Sequence, residues 1–197
     1  MNPPFRAGRA AASLLAAAFA AGSCLAGPAR AAPAAAQGES VVKQAGPARQ
    51  AEPVVGQKVD IPAVTLLDGR TLPQGYFKGK PVVIEYWASW CPFCARQNPY
   101  VQKLTMQARD TGLEILTVSI DKHVDDARAY IDKHHYSFPV AMDTPALRQV
   151  FGKRRVIPQI FVVKADGQLA ESIPGEMFEE DVLDLLKYAP RSPVSSQ

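Results

Sequence analysis

VVIEYWASWCPFCARQNP, residues Val82 to Pro99, is an apolar and aromatic run that holds one acid, Glu85, and ends on two cysteines separated by two residues, Cys91 and Cys94. A continuous run rich in β-branched and aromatic residues suits a strand covered on both faces, and LEILTVSI, residues 113–120, is a second of the same kind. Between them, Pro92 to about Asp110 carries Tyr100, Val101, Leu104 and Ala108 at helical spacing. Strand, helix and strand in this order predict a βαβ unit, a parallel sheet with both strands central, and an α/β class.

The flanking sequence adds to this unit on both sides. DIPAVTLLDGRTL, residues 60–72, is apolar around Asp68-Gly69, a turn pair that predicts a short hairpin ahead of the main sheet. VDDARAYIDKHH, residues 124–135, predicts a helix with Val124, Ala127, Tyr130 and Ile131 on one side. FPVAM, residues 138–142, predicts a short strand, and TPALRQVFG, residues 144–152, a helix that opens at Pro145 and stops at Gly152. PQIFVVKADGQLAESI, residues 158–173, reads as an antiparallel hairpin turning at Asp166-Gly167. MFEEDVLDLLKYA, residues 177–189, reads as a last amphipathic helix, its acids early and Lys187 late as the helix dipole prefers.

Arg6, Arg9, an Ala-rich apolar stretch from about Ala10 to Leu25, and Ala29-Arg30-Ala31 have the form of a secretory signal over residues 1–31, shorter than a membrane span and ending in Gly, Pro and Arg. The alternative is a lipid anchor: AGSC resembles the lipobox whose cysteine is acylated, here Cys24, although Ala21 stands where that motif usually carries Leu. Residues 32–53, rich in Ala, Pro, Gly and Gln, read as a flexible linker, 54–190 as one domain, and 191–197 as a disordered tail. Three of the 22 basic residues fall in the signal and no acid does. Cleavage after Ala31 leaves 19 basic residues against 19 acidic ones, and a nucleic-acid partner has no electrostatic support.

Of the three cysteines only Cys91 and Cys94 lie in the expected domain. Cys91 is placed at a helix start, where free N–H groups and the dipole favour a thiolate, and reads as the nucleophile. Cys94, one turn deeper, reads as the thiol that resolves a mixed disulfide. A structural disulfide is the first alternative, but a ring closed over two residues removes little unfolded-chain entropy. A zinc or copper site is the second, with His123, His134 and His135 the available ligands and no second C-x-x-C. Strand alternation puts Glu85 on one face with Val83 and Trp87, where burial raises its pKa and fits it to exchange a proton with Cys94. A Glu at a strand end reaching solvent is the competing reading.

These residues resemble a family. VVIEYWASWCPFC is similar to the active-site strand and motif of thioredoxins, with Glu85 at the place of their buried acid. GKPVVIEYWASWCPFCARQNP is closest to the TlpA, ResA and CcmG branch of exported thiol-disulfide oxidoreductases. The resemblance spans roughly Val54 to Tyr188. It implies a thioredoxin-like fold, a central mixed sheet flanked by helices, with an N-terminal hairpin and an inserted helix-strand unit around His123 to Met142. It also implies a redox-active disulfide between Cys91 and Cys94, a cis peptide at Ile157-Pro158 where an incoming peptide pairs, and a substrate-binding face of Trp90, Pro92, Phe93, Ile157 and Pro158. Two departures stand out: Gln97 occupies a place where many members of the branch carry Glu, and Pro92-Phe93 replaces the thioredoxin Gly-Pro.

The expected function is therefore a periplasmic, exported protein-disulfide reductase that needs no cofactor. Its partners are protein disulfides, at apocytochrome c, copper-site or general periplasmic cysteines, and a membrane electron donor of the transmembrane thiol-reductant type. A thiol oxidase, a metallochaperone binding copper or zinc through Cys91 and Cys94, and a peroxidase are the alternatives.

Overall fold

The computed structural model describes residues 52–190. The expected signal segment, Cys24, nearly all of the expected linker and the tail from residue 191 lie outside the described residues. The elements run β1 (Val64–Thr65), β2 (Thr71–Leu72), β3 (Val82–Trp87), α1 (Pro92–Ala108), β4 (Glu114–Ser119), α2 (Val124–His134), β5 (Val140–Met142), α3 (Pro145–Phe151), β6 (Gln159–Val163), β7 (Leu169–Pro174) and α4 (Glu179–Asp184). A single 3₁₀ turn, Leu185–Tyr188, closes the series.

Five strands form one mixed sheet in the order β5-β4-β3-β6-β7. β3 runs parallel to β4 and antiparallel to β6, so it is the middle strand, and its six residues are all buried, as a run without polar alternation requires. Its side chains alternate between two cores. Val83 and Trp87 pack with Val101, Leu104, Ala127, Val182 and Leu185 under α1, α2 and α4. Val82, Ile84 and Tyr86 pack with Leu147, Phe151 and the hairpin residues Val64 and Leu66 on the opposite face. Glu85 lies on the α1 side of the strand with Val83 and Trp87.

The expected elements are present, with two differences in detail. Val124 is 41% exposed, and of α2 only Ala127 is fully buried, so this helix lies on the sheet by a narrower stripe than its apolar spacing suggested. The last helix ends its α geometry at Asp184 and tightens into the 3₁₀ turn, which carries Leu185 into the core.

Candidate active site

β3 delivers the cysteines through the turn Ala88–Trp90, and Asp121, just beyond the neighbouring strand β4, holds that turn. The Asp121 carboxylate accepts from the Ser89 N–H at 3.1 Å and its hydroxyl at 2.9 Å, and from the Ser119 hydroxyl at 2.7 Å. It is 7% exposed, so these charge-assisted bonds stand in for its lost water. Trp87 is fixed in turn by its Nε1–H, which donates to Thr117 Oγ1 at 3.2 Å. Asp121→Ala strands these donors and is expected to lower stability by about 2–3 kcal/mol, read from urea denaturation, with a looser approach to Cys91 and a slower first thiol exchange.

Cys91 is the N-cap of α1. Its sulfur accepts from the Cys94 N–H at 3.3 Å, which places it on the positive end of a 17-residue helix that opens with Pro92. On its other side the thiol donates to the Ile157 carbonyl at 3.7 Å. Both cysteines are free thiols, Cys91 4% exposed and Cys94 0%. Burial, and then the bond to the Cys91 sulfur, push the Cys94 thiol far above its ordinary value, so it stays protonated until something takes the proton.

Glu85 is 1% exposed. Burial raises its carboxyl from the ordinary 4.5 to about 8, and a bond from Gln97 Nε2 to Oε1 at 2.8 Å offsets this only in part. Oε2 has no partner among the described residues. Gln97, 0% exposed, spans two elements: its Oε1 accepts the Met177 N–H at 2.7 Å, which fixes the amide so that only its NH₂ faces Glu85. Gln97 stands where many members of the branch carry Glu. In the structure it is the clamp on the acid that remains, a role no local spacing signals because its second partner is 80 residues away.

Around the sulfur the surface is apolar: Trp90 is 66% exposed, Phe93 52%, and Val156, next to Ile157, 46%, and Pro92 is exposed as well. Ile157-Pro158 is cis. The Ile157 N–H, in the loop that leads into β6, has no backbone partner among the described residues, so the backbone beside Cys91 is open to a peptide. Arg96 stacks its guanidinium 4.7 Å from the Phe93 ring while pairing with Glu176 through Nε at 2.6 Å, tying α1 to the segment before α4. His123 caps α2, His134 ends it and His135 follows in a left-handed turn. Among the described residues no three His, Cys, Asp or Glu side chains gather where they would hold a metal ion.

A dithiol at the head of a helix, fed by the middle strand of a mixed sheet and backed by a buried carboxyl, is the thioredoxin arrangement, and solved structures share the fold. A thiol:disulfide interchange protein of the thioredoxin family from Chlorobium tepidum TLS superposes with a TM-score of 0.61 over 71% of this chain and 99% of its own, at 22% identity. StoA from Bacillus subtilis does so at 0.55 over 67% and 98%, at 20% identity. The Redoxin family pattern matches residues 54–187, and the chain belongs to that family. Within it the chain falls in the TlpA/ResA/CcmG-like branch of thioredoxin-fold thiol-disulfide oxidoreductases. The thiol-disulfide oxidoreductase ResA of Bacillus thuringiensis (strain Al Hakam) is 28% identical over 135 residues, covering 68% of this chain and 77% of that protein. ResA of Bacillus subtilis (strain 168) is 26% identical over 140 residues with the same coverage.

Proposed function

We propose that this oxidoreductase works outside the cytoplasm as a reductant of protein disulfides, with Cys91 as nucleophile, Cys94 as resolving thiol and Glu85 as the proton acceptor for Cys94. The observation that carries the roles is the position of the Cys91 sulfur, between the Cys94 N–H and the Ile157 carbonyl on the open backbone before β6. A disulfide-bearing peptide laid along Ile157 brings its sulfur to Cys91, and Trp90, Pro92, Phe93 and Pro158 form the face it meets. Cys91 attacks, a mixed disulfide forms, and the partner's first thiolate leaves. Cys94 then gives its proton to ionised Glu85 and attacks the Cys91 sulfur. The second partner thiolate is expelled, and the Cys91–Cys94 disulfide keeps the oxidised state.

Export is supported by the signal-like residues 1–31, with the domain at 54–190 tethered through 32–53 and, in the alternative, acylated at Cys24. No helix among the described residues is long and apolar enough to cross a membrane. The reducing direction is supported by the branch and by the relatives' name. It requires a membrane thiol-reductant donor, since an exported dithiol otherwise meets an oxidising compartment. Cysteines of apocytochrome c and of copper sites are the substrate classes in view.

Trapping tests this reading. Cys94→Ser expressed in its native compartment is expected to accumulate disulfide-linked partners at Cys91, identified by diagonal electrophoresis and mass spectrometry. Partners trapped on Cys94 in Cys91→Ser, and none on Cys91, reverse the roles. The dithiol potential is expected well below the roughly −120 mV of oxidase-type proteins; a value near it makes the protein an oxidant.

A further inference from the structure

Ile157 lies in the loop of residues 152–158 that joins α3 to β6, and the place of its backbone against the Cys91 sulfur depends on how that loop is held. Three basic residues run together there, Lys153-Arg154-Arg155. The outer two are exposed, as charges in a loop are, but the Arg154 side chain is 1% exposed. Its guanidinium spans the loop. Nη2 donates to the Phe151 and Gly152 carbonyls at the end of α3, and Nη1 donates to Oε1 of Gln159, the residue directly after Pro158. Gln159 is fixed in turn, since its Nε2 donates to Ser172 Oγ on β7 at 3.2 Å. The same guanidinium lies over two rings, 4.8 Å from the Tyr86 centroid on β3 and 4.7 Å from that of Phe161 on β6. One forked cation thus ties both ends of the loop to the sheet, a task beyond a lysine's single nitrogen.

Stability alone does not account for this burial. Arg154 Nε has no partner among the described residues, and the ion pair with exposed Glu52 is long, at 3.5 Å. A buried cation satisfied this incompletely stabilises a fold no better than a well-packed apolar side chain does. What the fork adds is a fixed path for the chain between Gly152 and Gln159, and Ile157 is on that path.

We propose that Arg154 is the positioning residue of the peptide-binding loop, holding the Ile157 backbone where an incoming protein disulfide is laid against Cys91. This rests on the reading that a substrate peptide pairs with Ile157. Arg154 works from the face of the sheet opposite the dithiol, among Tyr86, Phe151 and Phe161, and reaches the reaction only through the loop. Its effect is therefore confined to substrates that use the Ile157 backbone.

Two short peptides test this, each with one cysteine capped by thionitrobenzoate, whose coloured release reports attack by Cys91. One of them is N-methylated at the residues flanking its cysteine and can donate no N–H there to the Ile157 carbonyl. Stopped-flow rates for the full-chain wild type are expected to favour the unmethylated peptide by about tenfold. Arg154→Met, similar in length and uncharged, is expected to lose most of that preference, slowing with the unmethylated peptide and keeping the wild-type rate with the methylated one. A preference as large as wild type's, whether both rates are unchanged or both fall together as in a loosened fold, overturns the positioning role and leaves the pairing with Ile157 in place. Wild type without a preference overturns the pairing, and the role of Arg154 with it. Arg154→Lys asks the same question of a chain that keeps the buried charge: it too is expected to lose the preference, and a lysine variant that retains it in full overturns the role.

Discussion

Cys91→Ser is expected to fold normally and to lose at least about 10³-fold in turnover against a small protein disulfide, since a serine hydroxyl is protonated and poorly nucleophilic where a thiolate is needed. The separation of chemistry from stability follows from the N-cap position. Cys91 accepts the Cys94 N–H, the third residue of α1, and serine is among the best residues for that bond. The replacement therefore keeps the cap while deleting the sulfur. An unfolding free energy within about 1 kcal/mol of wild type, beside absent turnover, is the expected pair of results. Cys94→Ser should differ in kind: turnover is lost too, but Cys91 still reacts once and remains linked to its partner. Residual multiple turnover by Cys91→Ser sinks the nucleophile assignment whatever the stability result.

The strands and hairpins were legible because the decisive signals are local. The unbroken apolar run of β3 and the run of β4 mark strands covered on both faces. Asp68-Gly69 and Asp166-Gly167 mark hairpins, and both glycines adopt the positive φ such turns need, 89° and 84°. The face of Glu85 was legible as well, since a strand's period of two sets it on the same side as Val83 and Trp87, and its 1% exposure decides against a strand-end acid in solvent. The supports around the site were not. Asp121 reaches Ser89 across 32 positions, Gln97 reaches Met177 across 80, and Asn98 meets Tyr130 only because α2 folds against α1. Such pairings depend on how elements pack, and polar residues at these places read equally well as solvent-facing. The apolar spacing of α2 overstated its burial for a related reason: periodicity reports which face is apolar, not how much of it the sheet has room to cover.

Glu85→Gln is expected to make the reduced protein more stable and a worse catalyst. A carboxyl held at about 8 in the fold and near 4.5 when unfolded keeps its proton natively over a range where the unfolded chain has lost it. The unfolded state then binds fewer protons, so stability is complete below about pH 4.5 and falls as pH rises toward 8. By pH 7 the loss amounts to about 3 kcal/mol. Gln carries no such penalty. Its NH₂ occupies the unpartnered Oε2 position much as the acid's own O–H does, so the burial cost there largely cancels. Denaturation of the dithiol form should show wild type and variant close near pH 5 and separated by about 3 kcal/mol near pH 7. Catalysis moves the other way. Only ionised Glu85 accepts a proton, and below its pKa that fraction drops tenfold per pH unit, so wild-type resolution should climb with pH and level near 8. Without the carboxylate, Cys94 must ionise by itself from its raised value. The variant should resolve about 10²-fold more slowly at pH 7 and keep climbing past the pH at which wild type has levelled. Stopped-flow measurement of formation and resolution separates this from a folding defect, because formation at Cys91 does not use Glu85. Equal resolution rates in the two proteins, or parallel pH profiles, would leave Glu85 a buried acid with no part in the proton transfer.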